Sequence, residues 1–343
     1  MQASSATLAP LENFEEMRVD GKTIQAPAVS FKNRRIVAAG KWVTMARVKD
    51  EQVCEGELID APDALIADLK RARFKADILN FPQPLSQTAP KHRYYFEWDN
   101  AAVISTKTYD QWWNKLSQDT RRNVRRAAKM GVTVRSVSFS DELTKGIIEI
   151  YNETPVRQGK PFWHYGKSFE VVKKECATYP ERSEFIGAYC ETELIGFCKL
   201  TYADDCAHII HILSKEAHSD KRPTNALIAK AVEICAGKGM SCLTYCRYLD
   251  GGNEQSPLTE FKRRNGFEQL LYPRYFIPLN LKGKLALKLG LHHGLRNRLP
   301  KSWIPFLLKM RARVVSTFYR KGTDRAVRPI AAPTSACEQG GCR

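Results

Sequence analysis

No stretch of this 343-residue sequence approaches the roughly 18 to 20 consecutive apolar residues that a membrane-spanning helix needs. The opening residues, MQASSATLAP, also lack a basic region followed by an apolar one, so we expect no export and a cytoplasmic location. Hydrophobic residues make up 43% and charged residues 27% of the chain, which excludes collagen-like and wholly disordered proteins. The composition therefore predicts a globular protein of one or two domains.

Metal-binding patterns are missing as well. The closest cysteine pairs are Cys242/Cys246 and Cys337/Cys342, and neither is followed by the second Cys or His pair that completes a tetrahedral zinc site. Several cysteines lie inside apolar, strand-like runs: Cys190, Cys198, Cys206 and Cys242. We predict that these are reduced core thiols in a reducing compartment, and that the protein holds no metal.

Acidic residues are scarce in two parts of this chain, whose net charge is +17. Residues 281–328 contain thirteen Lys or Arg and a single acid, Asp324. A second basic cluster comprises Arg121, Arg122, Arg125, Arg126 and Lys129. Such clusters attract phosphates or anionic lipid. We assign Arg122 and Arg126 to substrate binding, with an ordinary solvated helix face as the alternative.

The residue patterns predict an α+β fold. Residues 1–28 show no periodicity and are predicted to be a disordered arm. A capping box at Thr108 and Gln111 begins a helix that runs to Gly131, and Ser140, Ser168 and Ser256 are further candidate N-caps. The strands EFIGAYC, ELIGFCKLTYA and CAHIIHILS follow one another closely, and then come a helix, the strand SCLTYCRY, a short helix and the strand FEQLLYPRYFIPL.

This order of elements resembles the GNAT superfamily of acyltransferases. The segments IYNETPVRQGKPFWHYGKS, RPTNALIAKAVEICAGKG and LTEFKRRNGFE resemble the Fem-type peptidoglycan aminoacyltransferases and the BioF-like acetyltransferase domains. The resemblance implies a mixed, mainly antiparallel sheet with flanking helices. Residues 29–107 would form a reduced N-terminal GNAT-like half and residues 108–280 a complete GNAT-like acyltransferase domain. A basic amphipathic helical segment, 281–321, and a disordered tail, 322–343, would follow.

The resemblance also implies an activity. An acyl or aminoacyl group would move from acyl-CoA, or from aminoacyl-tRNA, to an amine or hydroxyl of a cell-envelope, saccharide or amino-acid-derived acceptor. In this fold the strands at 206–213 and 241–247 would separate at one end. Their unpaired backbone amides could then hold the carbonyl on which negative charge develops.

The turn before the following helix is the predicted donor site. GNAT enzymes that use coenzyme A carry Gln or Arg, two residues, Gly, one residue, then Gly or Ala at this turn. This chain has Lys221, Arg222, Pro223, Thr224, Asn225 and Ala226, all but the proline assigned to cofactor binding. Thr224 replaces the central glycine, which allows less close approach of a pyrophosphate and leaves acyl-CoA and tRNA both open as donors.

Three residues are candidates for catalysis. The period of two in CAHIIHILS places His208 and His211 on opposite faces, and we prefer His211 as the base that faces the cleft. Tyr245 is the candidate proton donor to the leaving group. By resemblance, Lys262 corresponds to a Fem-type lysine near the reacting centre. A core histidine, a core tyrosine and a helix-end cation are the respective structural alternatives.

The loop RQGKPFWHYGKS is the predicted acceptor site. The loop is rich in both cations and aromatic residues. We assign Arg157, Lys160, Trp163 and Tyr165 to contacts with an anionic or sugar-like acceptor. A tryptophan that fills a gap between helices is the alternative.

The basic segment 281–321 places apolar residues beside many cations, which is typical of an element that lies on an anionic membrane surface. The protein would then be peripheral at the inner membrane face. RNA is the rival partner for the same charges. A non-catalytic protein that binds RNA or a membrane surface on a GNAT shell is therefore the alternative function.

Overall fold

The strands and helices are those of a computed structural model, which describes residues 13–19, 22–249 and 254–294. The strands are β1 (Asn13–Val19), β2 (Lys22–Phe31), β3 (Arg34–Ala39), β4 (Met45–Val48), β5 (Ile78–Pro82), β6 (Phe96–Ser105), β7 (Val132–Val137), β8 (Val156–Arg157), β9 (Lys160–Pro161), β10 (Ser183–Cys190), β11 (Glu193–Ala203), β12 (Cys206–Ser214), β13 (Cys242–Thr244) and β14 (Glu268–Pro278). The helices are α1 (Pro62–Arg71), α2 (Tyr109–Lys115), α3 (Gln118–Lys129), α4 (Asp141–Asn152), α5 (Phe169–Cys176), α6 (Pro223–Gly237), α7 (Pro257–Arg264) and α8 (Leu281–Lys288). None of the described helices is long and apolar enough to cross a membrane.

Twelve of the described strands form one mixed sheet, in the order β1-β2-β3-β4-β5-β14-β6-β13-β12-β11-β10-β7. Most neighbours are antiparallel, whereas β4 with β5 and β12 with β13 are parallel. The remaining two strands, β8 and β9, form a small ribbon of their own. The predicted fold class, an α+β protein with a mainly antiparallel GNAT-like sheet, is confirmed.

Helices cover both faces of the sheet, so many of its strands are apolar on both sides. One core cluster lies beneath α6, a second beneath α1, and a third beneath α4 and α5. Strand β11 is buried at nearly every position because α6 covers one of its faces and α4 the other. A continuous apolar run such as ELIGFCKLTYA is what burial on two faces requires.

The strand between β13 and β14 comes from an early part of the chain. Residues 96–105 form β6, which pairs with both of these strands. The predicted halves 29–107 and 108–280 therefore share one sheet, and the compact unit that contains it ends at Leu285. The sheet around the candidate site is complete only with this contribution from the first half.

The prediction of a disordered arm over residues 1–28 was wrong for its described part. Strand β1 pairs with β2, and β2 pairs with β3. Ala26 and Ala28 are buried on one side of β2 while Pro27 between them is exposed, so small residues here serve as an alternating strand. Residues 1–12, most of the predicted segment 281–321 beyond α8, and the predicted tail 322–343 lie outside the described residues.

One pair of cysteines also corrects the sequence prediction. Cys206 and Cys242 occupy directly opposed positions on β12 and β13, with Cα atoms 4.8 Å apart, and form a disulfide. The prediction of reduced thiols was wrong for this pair, because the sequence does not reveal the register that sets two cysteines 36 residues apart directly opposite each other. Cys198 is a buried thiol, as predicted, and burial raises its pKa.

Candidate active site

Strands β12 and β13 separate after three paired positions. Their parallel pairing ends at His208 opposite Thr244. Beyond that point β12 continues along β11 to Ser214, while the backbone after β13 stays with β6 through a 2.9 Å bond from the Tyr245 amide to the Ala102 carbonyl. The predicted wedge between the two segments is therefore present.

The wedge leaves a strand edge open. From Ile209 to Ser214, β12 has a strand partner on the β11 side but, among the described residues, none on the side of the wedge. Such an edge carries backbone groups that can bond an incoming ligand. Backbone N–H groups aimed at a carbonyl oxygen are the usual means of stabilising a tetrahedral intermediate.

Helix α6 begins at the mouth of the wedge. Arg222 is its N-cap, in the left-handed region at φ 58°, and Pro223 is its first residue. Thr224 bonds Ser214 through their hydroxyls at 2.9 Å, which ties the start of α6 to the end of β12. The amides of Thr224 and Asn225 lie in the first turn, where no intrahelical acceptor exists. The predicted donor residues thus meet at one place.

The side chains of this turn divide into two groups. Asn225 donates from Nδ2 to Oδ1 of Asn265 at 2.8 Å, and Ala226 is buried, so both face the protein. Lys221 is partly exposed and Arg222 is exposed. The two cations are therefore the side chains available to a phosphate, while Thr224 and Asn225 offer backbone amides.

The basic cluster on α3 lies next to this turn. Arg126 donates from Nε to the carbonyl of Asp220 at 2.8 Å, directly before Lys221. Arg122 lies one helical turn away and pairs with Asp119 at 3.3 Å, both side chains being exposed. The sequence predicted that Arg122 and Arg126 bind substrate but did not predict where they lie in the fold. The structure places Arg126 beside the predicted donor turn.

Tyr245 and Lys262, predicted independently, are in contact. The ammonium of Lys262 lies 4.9 Å from the ring centroid of Tyr245 and donates to the carbonyl of Arg247. Only 1% of Lys262 is exposed, which excludes a solvated helix-end cation. Burial raises the pKa of Tyr245, so the phenol keeps its proton at neutral pH and can donate it.

The two histidines of β12 do not lie on opposite faces as predicted. The register of β12 against β11 shifts by one residue at Ile210, a β-bulge. Ile209 and Ile212 consequently both pack beneath α6, which places His208 and His211 together on the other face. The prediction of opposite faces was wrong because the bulge adds one residue to β12, and the sequence pattern does not predict a bulge.

Both histidines are neutral at pH 7. His208 shares a 2.7 Å hydrogen bond with the hydroxyl of Thr244 at the last paired position of the wedge. His211 lies 3.4 Å from the hydroxyl of Tyr151, within an aromatic cluster that includes His164. Burial lowers the pKa of each histidine to about 4, so each imidazole is neutral at pH 7 and has an unprotonated ring nitrogen. His208 is a second candidate base, which only the pairing of β12 with β13 reveals.

These pKa values predict acid sensitivity. The unfolded histidines bind protons below about pH 6.5, whereas the folded ones stay neutral until about pH 4, so stability is lost as the pH falls between these values. At pH 5 each histidine should cost on the order of 2 kcal/mol in the free energy of unfolding. Urea unfolding at pH 7.5 and pH 5 measures the difference. His208→Gln should reduce it, and an unchanged pH dependence in both His208→Gln and His211→Gln would contradict the assignment.

Arg157 holds the predicted acceptor loop in place rather than facing an acceptor. Its guanidinium donates to the carbonyl of Ser214 at 2.8 Å and to the carboxylate of Glu153 at 2.9 Å. Glu153 in turn accepts from the amides of Glu216 and Ala217. The side chain of Arg157 is largely buried, so its predicted role in binding substrate is corrected to one in positioning the loop against β12.

The other loop residues remain candidates for acceptor binding. Lys160, Trp163 and Tyr165 are exposed, with Trp163 half exposed and packed beside His164. A cavity of about 450 Å³ lies between residues of β1, β3 and β4 on one side and Tyr179 and Ile210 on the other. The bulge residue Ile210 of the wedge strand therefore lines an open cavity.

The parallel pair in the first half is bridged by a buried ion network. Strands β4 and β5 pair at only three positions, the last being Arg47 with Asn80. Arg274 of β14 donates to Asn80 at 2.8 Å, to Glu51 at 2.7 Å and to Asp99 at 2.6 Å. The guanidinium thus links the segment after β4 to β5 and β6. Among the described residues, no guanidinium bridges β12 and β13 across the wedge in this way.

Comparison with known proteins identifies the fold. The solved structure of FemX superposes with a TM-score of 0.52 at 12% sequence identity, over 80% of this chain and 90% of that one. The C-terminal domain of a putative lysylphosphatidylglycerol synthetase from Agrobacterium fabrum gives a TM-score of 0.51 at 14% identity, over 80% and 87%. No family model and no curated protein matches the sequence. The chain therefore has a GNAT-like fold of the Fem type, as the sequence resemblance predicted.

Proposed function

We propose that this protein transfers an acyl or aminoacyl group from a phosphate-bearing carrier to an amine or hydroxyl. The separation of β12 from β13 beneath the start of α6 is the observation that supports this function. A carrier phosphate fits the amides of the first turn of α6, and the reactive carbonyl fits the open edge of β12.

The side chains around the wedge supply two candidate bases and a candidate acid for this reaction. The acceptor nitrogen or oxygen attacks the carbonyl carbon and gives its proton to the neutral imidazole of His208 or His211. The bond between the carbonyl carbon and the carrier sulfur or oxygen then breaks. Tyr245 gives its phenolic proton to that departing atom, while the charge of Lys262 lies behind the phenol ring.

Acyl-CoA and aminoacyl-tRNA are the two donor classes. Both carry phosphates that Lys221 and Arg222 could bind. The exposed cations of α3 enlarge this basic surface, so that it could also contact a longer polyanion such as tRNA. Thr224 stands where coenzyme A enzymes of this fold carry glycine, which favours a looser phosphate contact. The acceptor would occupy the cavity beside Ile210 and the exposed loop that carries Trp163.

Donor binding tests this function directly. The purified chain is titrated with acetyl-CoA, longer acyl-CoAs and aminoacyl-tRNA, and carrier release is followed with and without amine acceptors. A Lys221→Gln/Arg222→Gln variant should bind the active donor about tenfold more weakly or worse, since each lost contact to a charged group costs about 1.5 kcal/mol or more. Lys238→Gln, at the other end of α6, is the matched control.

Two results would contradict the proposal. The first is that none of these donors binds or is consumed. The second is that RNA binds with strong salt dependence while no acyl group is released from any donor, which would favour the non-catalytic shell.

A further inference from the structure

A second cavity, which none of the wedge residues lines, is strongly basic. It measures about 480 Å³ and lies between the end of α1, the start of β5 and the start of α8. Four cations line it: Lys70, Arg73, Lys75 and Lys282. The acid in its lining, Asp77, already accepts from the amide of Thr44 at 2.8 Å and from Lys282 at 2.9 Å.

Three of these cations are available to a ligand. Lys70, Arg73 and Lys75 are exposed, and none of them has a carboxylate partner within the residues that the structure covers. With Asp77 satisfied by Lys282, the cavity keeps a surplus of positive charge. An anionic group such as a phosphate would therefore be attracted to it.

Helix α8, which begins at this cavity, presents two leucines to solvent. Leu281 is 81% exposed and Leu285 is 58% exposed, one helical turn apart. The buried positions are instead small: Gly283 and Ala286. A Cβ at Gly283 would collide with the carbonyl oxygen of Asp77, so only glycine permits the close packing of the helix at this position. This is the reverse of an ordinary surface helix, which buries its leucines.

We propose that this cavity and the leucines of α8 together form a docking surface for a bilayer that contains anionic phospholipid. The cations would bind the lipid phosphates, and Leu281 and Leu285 would enter the boundary with the acyl chains. Trp42, two residues before the cavity residue Thr44, is 74% exposed, and tryptophan is the residue that favours this interface.

The charge and the side chains of this surface favour an anionic bilayer over a second copy of the chain or RNA. Residues 295–328, which are separated from the end of α8 by six residues, add ten Lys or Arg and one acid, so the sequence continues the positive charge. A second copy of the chain would bring two basic surfaces together, which like-charge repulsion opposes. RNA would use the cations but has no need of exposed leucines. The proposal does not depend on acyl transfer, because vesicle binding is measured without any donor.

Vesicle co-sedimentation of the full chain tests the surface. Binding to vesicles of phosphatidylcholine with phosphatidylglycerol should exceed binding to phosphatidylcholine alone and should fall with salt. Leu281→Ala/Leu285→Ala should weaken it about tenfold, because alanine keeps the helix but removes most of the inserted apolar surface. Arg73→Gln/Lys75→Gln should weaken it by a similar factor, about tenfold, at low salt.

Two variants serve as matched controls. Val171→Ala removes an exposed apolar residue from α5, and Lys107→Gln/Lys145→Gln removes two exposed cations elsewhere. Both should bind vesicles as the unaltered chain does. Residues 295–343 are identical in all variants, so any contribution they make to binding cancels. Far-UV circular dichroism and thermal unfolding should be unchanged for the leucine variants because both side chains are exposed.

Three outcomes would overturn the proposal. One is wild-type vesicle binding by the leucine double variant. Another is equal binding to anionic and neutral vesicles. The third is loss of duplex RNA binding in the charge variant with full vesicle binding in both variants, which would assign the cavity to RNA. If the double leucine variant does not fold, the single variant Leu285→Ala carries the same comparison with a smaller expected decrease.

Discussion

A Tyr245→Phe variant should lose about two orders of magnitude or more in kcat, because a positioned proton donor contributes about that much to acyl transfer. The ring should stay in place, since its contacts with Phe267, 6.0 Å between centroids, and with the ammonium of Lys262 do not involve the hydroxyl. KM for the donor and the midpoint of thermal unfolding should therefore change little. Steady-state kinetics with the active donor measures the effect.

Tyr202→Phe is the control for this variant. Tyr202 is on β11, and its hydroxyl donates to Glu184 at 2.7 Å, so the substitution removes a phenol that lies on neither wedge strand. It should leave kcat unchanged. Wild-type kcat in Tyr245→Phe would remove this tyrosine from the mechanism, and wild-type kcat in Lys262→Met would do the same for the lysine. Donor binding at Lys221 and Arg222 would still be measurable in either case.

An Arg274→Met variant should lower the free energy of unfolding by about 3 to 5 kcal/mol, because removing one member of a buried ion network leaves its partners charged and unpaired. Asp99 is buried and would keep the exposed Arg247, the hydroxyl of Tyr272 and the backbone amide of Asn100 as its partners. Glu51 already has one buried carboxylate oxygen without a hydrogen-bond partner. Urea unfolding at neutral pH measures the loss.

Two comparisons make the Arg274 result specific. Lys115→Met breaks an ion pair with Glu268 whose side chains are mostly exposed, and should cost less than about 1 kcal/mol. Adding Asp99→Asn to Arg274→Met should restore part of the stability, since the stranded charge is then gone. If Arg274→Met is as stable as Lys115→Met, the network does not hold β4, β5 and β14 together.

Local chemistry in the sequence predicted most helix starts correctly. Thr108, Ser140, Ser168 and Ser256 each accept the backbone amide three residues ahead, as an N-cap does. The helix predicted from Thr108 to Gly131 is nevertheless two helices. Ser117 caps the second helix by accepting a hydrogen bond from the amide of Thr120. The apolar spacing continues through Ser117, so the spacing alone predicted one continuous helix.

The site was predicted only in part, because its geometry depends on pairing between distant segments. Lys262 and Tyr245 could be proposed from the sequence, but their contact depends on α7 packing behind the end of β13. Arg157 looked like a ligand contact by composition, and its burial against Ser214 was invisible in the sequence. The sequence pattern placed His208 on the face away from the cleft, but the bulge at Ile210 brings it to the same face as His211.

The amino-acid sequence by itself determined where the helices begin, which strands are apolar on both faces, and that the final segments are basic, since each of these depends on neighbours within a few residues. Tertiary structure alone decided that Cys206 meets Cys242, that β6 fills the place between β13 and β14, and that α8 turns its leucines outward. Such outcomes depend on which distant surfaces meet and how closely. At Gly283, for example, the helix packs so closely against the carbonyl of Asp77 that any side chain there would collide with it.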